Sequence, residues 1–219
     1  MTDFDKASQK AKEFRHREEE ILRCALALFL EKSEDKVTVE MIAEKVGIGK
    51  GTIYKHFVSK NEIYLQLMIR YEDELLLLFG DLKPTDDKEK IAREYFRFRM
   101  EDPVRYALFD RLEAKCLAEN AHPTLMTKLH DIRDANLRKL EAIISARVEE
   151  GKLEDVPAYF HICAAWALVH GAVALHHSDF YKQRTEDKEA FFNFLMDIGV
   201  RMGNRGQVVR KDDNATDES

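Results

Sequence analysis

The stretch Thr38–Lys60, TVEMIAEKVGIGKGTIYKHFVSK, decides how the whole chain is read. Thr38 suits the cap of a helix N-terminus, because its hydroxyl can accept from a backbone N–H that the first turn leaves unpaired. Ile42, Ala43 and Val46 recur at helical spacing and give a short helix one apolar face. Gly47 can take the left-handed backbone that ends such a helix, and Ile48 is placed to plug the corner. A second short helix is expected from Gly49 to His56. Two short helices joined by a tight glycine turn form a helix-turn-helix, whose second helix fits the major groove of DNA.

The second helix carries residues suited to that groove. Lys50 and Lys55 can reach phosphate or guanine, Thr52 a phosphate or a thymine methyl, and Tyr54 and His56 phosphates. Gly49 and Gly51 present no side chain and let the backbone come close. Lys45, Lys50, Lys55 and Lys60 fall in a window without any acidic residue. The chain as a whole carries −6, divided as +1 in residues 1–70 and −7 in the remainder. An acidic protein has kept one basic strip.

The same residues allow a rival reading, since GIGKGT at Gly47–Thr52 looks like the phosphate loop of nucleotide kinases. That loop must follow a buried strand, whereas Glu40–Val46 has helical periodicity. Glu44 stands where its first glycine would be, and Lys50 is followed by Gly51 rather than Ser or Thr. No later run of strands offers a parallel sheet.

Outward from the motif, helix breakers divide the chain at Gly80 and Pro84, Pro103, Pro123, Gly151 and Pro157, and Gly203 and Gly206. Between them apolar residues recur at helical spacing. Ile21, Ala25, Leu28 and Phe29 mark a helix from about residue 11 to 31; Ile63, Leu67, Tyr71, Leu75 and Leu78 mark another, opened by Ser59 and Glu62 as a capping box. Asp102 before Pro103 reads as a cap followed by proline at the first helical position. Leu125, Leu129, Ile132, Leu137, Leu140 and Ile144 run along one long helix. Neither sustained apolar alternation nor an Asn-Gly or Asp-Gly turn is present, which predicts an all-α protein.

The composition, with 35% charged and 45% hydrophobic residues in 219, is that of a globular chain. Unbroken apolar stretches such as Leu75–Phe79 fall far short of the roughly 20 residues of a membrane span. With no apolar leader at the N-terminus, a cytoplasmic protein without a membrane partner is expected. Cys24, Cys116 and Cys163 are expected as buried, reduced thiols. The polar stretch from Arg205 to Ser219 reads as a disordered tail.

The last two helices have another character. From about 157 to 179, Phe160, Ala164, Ala167, Gly171, Ala174 and Ser178 form a stripe of mostly small residues, while Ile162, Trp166, Val169 and Val173 form a bulky second face. Phe191, Phe194, Leu195, Ile198 and Met202 stripe the final helix. A helix apolar on two faces must pack on two sides, which points to a homodimer built on a four-helix interface including Ala167, Gly171, Ala174, Phe191, Phe194 and Ile198.

Thr38, Ile42, Ala43, Gly47, Ile48, Gly51, Thr52, Ile53, Tyr54, Phe57, Ser59 and Lys60 match, in order and spacing, the AcrR-like helix-turn-helix of the TetR family of transcriptional regulators, which the first 65 or so residues resemble. Ser33, Val37 and Gly49 depart from the family's common Gly, Thr and Ser. The resemblance implies a helix-turn-helix domain over residues 1–57, a larger helical effector-binding and dimerisation domain over 58–205, and the tail over 206–219. It makes Thr38, Tyr54, His56 and Lys60 backbone-positioning residues and Lys50, Thr52 and Lys55 base readers. It also implies a pocket between about 85 and 180, to which Phe96, Met100, Phe109, Leu112 and Leu137 contribute apolar lining and Arg99 and His170 polar groups. The expected protein is a homodimeric repressor that leaves a palindromic DNA operator when a largely apolar small molecule binds. An effector-independent DNA binder with a chromosome-organising role is the alternative. His161, His170, His176 and His177 crowd one helix without a metal-binding motif; no metal, cofactor or catalytic set is expected.

Overall fold

A computed structural model of the chain describes residues 3–80, 83, 87–184 and 187–205. These form α1 (Asp3–Glu31), α2 (Val39–Val46), α3 (Lys50–His56), α4 (Lys60–Leu78), α5 (Lys88–Met100), α6 (Pro103–Ala118), α7 (Pro123–Glu149), α8 (Ala158–His177), α9 (Asp179–Lys182) and α10 (Lys188–Arg201). Among the described residues there is no strand, only an isolated antiparallel bridge between Leu153 and Asn204. The all-α reading is correct, and the expected tail, 206–219, lies outside the described residues. α1 starts well before residue 11. Its first turns, Asp3–Lys10, are mostly polar, with Phe4 and Ala7 as their only apolar residues, too few for hydrophobic spacing to mark the start.

Local chemistry sets the helix ends. Thr38 Oγ1 accepts from the Met41 N–H at 3.3 Å. Gly47 sits at φ 80°, with its N–H shared between the Ala43 and Glu44 carbonyls. Ser59 Oγ accepts from Glu62 N–H at 3.1 Å, while the Glu62 carboxylate takes the N–H of Val58 at 2.6 Å, one residue earlier than a standard capping box. Asp102 accepts from Arg105 N–H at 2.9 Å just before Pro103.

α1, α2 and α3 form a small unit around Ile21, Ala25, Phe29, Ile42, Ile53 and Phe57. α4 leaves this unit and runs along α7 and α6, α5 pairs with α10, and α8 lies on α6, α7, α5 and α10. The core is contiguous through both parts; Phe29 of α1 meets Tyr64 of α4 edge-on at 5.1 Å.

α8 corrects an expectation built on unbroken apolar runs. It holds no Asp, Glu, Lys or Arg, and with a mean hydropathy of 1.5 it is long and apolar enough to cross a membrane by length and composition. In this fold Ile162, Val169, Ala172 and Val173 turn into the core, and Tyr159, Phe160, Trp166 and Gly171 stay exposed. Cys163 shares that outward side and is exposed, against the expectation of burial; Cys24 and Cys116 are buried, and burial pushes the Cys116 thiol up to about 11.

α10 meets α5 closely at Gly199, where a Cβ would lie 2.2 Å from two ring atoms of Phe96, a side chain only 1% exposed. The ring is buried, so it or the helix must shift to make room. Gly199→Ala should therefore destabilise the chain by about 1–3 kcal/mol in chemical denaturation, and unchanged stability would contradict this packing.

Candidate functional site

α3 buries Ile53 against the small core and leaves Lys50, Gly51, Tyr54 and Lys55 exposed, with Thr52 half-buried and Gly49 capping the helix without a side chain. The Lys50 ammonium pairs with Glu40 of α2 and lies 5.7 Å above the Tyr54 ring. That contact holds the Glu40 carboxyl down to about 2 and raises Lys50. Thr38, exposed, is engaged in capping α2.

Two residues expected to touch DNA are occupied elsewhere. The His56 side chain is only 6% exposed, lies 3.9 Å from Glu18, and stacks on Phe14 at 4.1 Å between ring centres. It ties α3 to α1. Lys60 turns inward and donates to the carbonyls of Glu34 and Val37 at 3.1 and 3.0 Å. Burial, reinforced by nearby Lys115, lowers its pKa. Lys60 braces the unit through the carbonyls it donates to, and His56 through its ring packing on Phe14.

The loop between α1 and α2 is in turn gripped by α6. Arg111 makes a two-pronged contact with the Glu34 carboxylate, at 3.1 and 3.3 Å, and Lys115 pairs with Asp35. Burial works against ionised Glu34, yet the hydrogen bonds from Arg111 prevail and hold its carboxyl below the usual range. Tyr64 of α4 donates to the Glu34 carbonyl at 3.3 Å. Beyond α6, Asn61 donates to Glu119 at 2.6 Å, and Ser59 Oγ is 2.7 Å from His122 Nε2. His122 holds a left-handed φ of 48°, unusual for a residue with a side chain.

The other side of α6 faces a cavity of about 140 Å³ that it forms with α4, α5, α7 and α8. Of the expected pocket residues, Arg99, Phe109, Leu137 and His170 line it, and Phe96 lines a second cavity of about 90 Å³. Met100 and Leu112 line neither; both are buried in the packed core. At the wall of the larger cavity the Glu72 carboxylate, 4% exposed, accepts from Arg99 at 3.0 and 3.2 Å, from Arg133 at 3.4 Å and from Asn136 at 3.4 Å. Arg133 continues to Glu113 at 2.5 and 2.8 Å. Burial opposes the charge on both guanidiniums, but Glu72 beside Arg99 and Glu113 beside Arg133 outweigh it and raise their pKa. Tyr106 accepts from Trp166 Nε1 at 3.0 Å and meets His170 Nδ1 at 3.0 Å.

Sequence reasoning missed Glu72, Tyr95, Tyr106, Glu113, Arg133, Asn136 and Trp166 as lining. A signal existed: Glu72 falls on the face of α4 that also carries Met68 and Leu75, and a charge on a buried face needs a partner. The crowded histidines disperse, His161 to the Glu154 carbonyl, His176 onto Phe192 and His177 to the Val173 carbonyl. No three His, Cys, Asp or Glu side chains gather as for a metal among the described residues. Ala167, Gly171, Ala174, Phe194 and Ile198 are exposed on α8 and α10, and Phe191 is half-buried.

Comparison with known proteins accords with this architecture. Residues 21–67 match the family described as bacterial regulatory proteins, tetR family, and residues 89–198 match the tetracyclin repressor-like C-terminal domain. The HTH-type transcriptional regulator RutR of Escherichia coli K12 is 27% identical over 179 residues, covering 79% of this chain and 82% of its own. The nucleoid occlusion factor SlmA of Escherichia coli O1:K1 is 37% identical over 81 residues, 36% of this chain and 40% of its own. A tetR-family regulatory protein from Rhodococcus RHA1 shares the fold with a TM-score of 0.67 at 15% identity, over 86% of this chain and 97% of that one. A reading head of two short helices on a larger helical body, with both parts matched in sequence, makes this chain a member of the tetR family of DNA-binding bacterial transcriptional regulators.

Proposed function

We propose that the chain works in the cytoplasm as a homodimeric repressor that leaves a palindromic operator when a small molecule enters the cavity. The observation that carries this reading is the position of α6. One side of it lends Tyr106, Phe109 and Glu113 to the cavity, while Arg111 and Lys115 hold Glu34 and Asp35 beside the reading head. A ligand that prefers a different seating of α6 moves the head with it; without such a preference nothing shifts. Two heads one DNA turn apart, about 34–36 Å, read a palindrome, and altered spacing mismatches the groove.

The match to a nucleoid occlusion factor favours a second reading, a DNA binder without an effector, but it covers only 81 residues, 36% of this chain. The cavity lined by Arg99 and Asn136 with unpaired polar atoms supports the regulated form.

In this reading the exposed faces of α8 and α10 pair across a two-fold axis. A Cβ at Gly171 meets nothing within 4 Å in the protomer, so Gly171→Leu should leave the protomer folded and split the dimer. Light scattering should then give the monomer mass, and a dimer mass would move the interface elsewhere.

Roles at the reading head separate by salt dependence. Lys55→Ala should reduce the slope of log K against log salt by about one. Lys60→Met should lower the melting temperature and leave that slope intact, because Lys60 serves the α1–α2 loop. A lowered slope for Lys60→Met would return it to the phosphate contacts.

Glu40 competes with DNA for Lys50. Glu40→Gln should tighten binding to duplex DNA by up to about fivefold in a low-salt titration, the worth of an exposed ion pair. Equal or weaker binding would take Lys50 out of the interface.

A further inference from the structure

The two cavities share a wall formed by Tyr95, Leu140 and Ile162, and their linings differ in kind. The larger, about 140 Å³, is close to the roughly 150 Å³ engineered cavity that holds one benzene ring. Its lining combines aromatic residues with Arg99 and Asn136, whose Nε and Oδ1 are buried without a hydrogen-bond partner. The orientation of the Asn136 amide is fixed chemically, since Glu72 only accepts and must receive the N–H side. Its oxygen is therefore left as an acceptor, and Arg99 Nε–H as a donor. The smaller cavity, about 90 Å³, is lined almost wholly by apolar groups such as Ile91, Ile143 and Ala165 and has room for only a few carbon atoms.

Charge narrows the class further. Arg99 and Arg133 are already matched by Glu72 and Glu113, and Asp110 adds a third carboxylate near His170. An anionic ligand would meet more carboxylates than unpaired cations. A cation would find its natural seat taken, because the Arg99 guanidinium already lies 5.0 Å from the Tyr71 ring centre and 5.9 Å from those of Tyr95 and Tyr106.

We infer that the effector is an uncharged single-ring compound with one polar edge that both donates and accepts a hydrogen bond, and a short alkyl arm. The ring lies in the larger cavity with its polar edge at Arg99 and Asn136, and the arm passes Leu140 into the smaller one. This rests on the regulator reading above, and the test keeps the two apart.

The probe is 4-propylphenol, followed in calorimetry and by the fluorescence of Trp166, the chain's single tryptophan and itself part of the cavity wall. It should bind about fiftyfold more tightly than phenol, from burial of three carbon atoms. It should also exceed propylbenzene by about tenfold, because the latter leaves both polar atoms unpaired, and exceed 4-propylbenzoate and 4-propylbenzylamine by more. Ala165→Leu or, should that variant not fold, Ala92→Leu fills the smaller cavity and should bring 4-propylphenol down to the level of phenol. Equal or tighter binding of the benzoate or the benzylamine overturns the charge assignment. Failure of all five compounds to bind, with DNA binding intact, overturns the ligand class and spares the regulator reading. Binding in the expected order without release of DNA in fluorescence anisotropy upholds the class and overturns ligand-driven release.

Discussion

One buried carboxylate organises the larger part of this molecule. Glu72 of α4 receives Arg99 of α5 and Arg133 and Asn136 of α7, so three helices meet on a single charge. Removing one partner from such a cluster generally costs about 3–5 kcal/mol, since the remaining charge is stranded out of water. The cavity exists because this cluster holds its walls apart at fixed positions: charged groups cannot collapse into an apolar void as leucines would. α4 then carries the rigidity outward, and its capped start, Ser59, stands next to the reading head.

The two attachments of α6 differ in kind. Toward the cavity it joins the Glu113–Arg133 end of the buried cluster. Toward the reading head it uses Arg111, which holds the buried Glu34, and Lys115, which pairs with the exposed Asp35. In the proposed regulator a change at the cavity reaches the contacts with Glu34, Asp35 and the α6–α7 corner through this one helix. The left-handed His122 sits at that corner, and strained backbone of this kind persists only where its surroundings hold it.

Much of this was legible in the sequence. Thr38, Gly47, Ser59 and Asp102 each do locally what their side chains or backbones favour, so caps and helix order followed from short-range chemistry. The reading head was legible because a helix-turn-helix is compact and its residues are close in sequence. The inward turn of His56 and Lys60 has no local sign: Phe14 and Glu18, which His56 meets, and the Glu34 and Val37 carbonyls, which take the Lys60 ammonium, lie many residues away. The cavity was legible only in part. Arg99 and His170 stand out as polar residues among aromatics, but the Glu72 cluster joins residues up to 64 positions apart, and no spacing rule encodes that pairing. The early start of α1 was missed because Asp3–Lys10 holds only Phe4 and Ala7 as apolar residues, too few to display a hydrophobic period.

The most direct measurement is a selection of bound fragments from genomic DNA with the purified chain at physiological salt, repeated with Lys50→Ala and Tyr54→Ala combined. A sequence-specific regulator recovers a few sites that share a short palindrome, with half-sites one helical turn apart, and the double variant loses them. Binding that is absent, equally weak at every fragment, or unchanged in the double variant would contradict the assignment of α3 as the element that reads DNA.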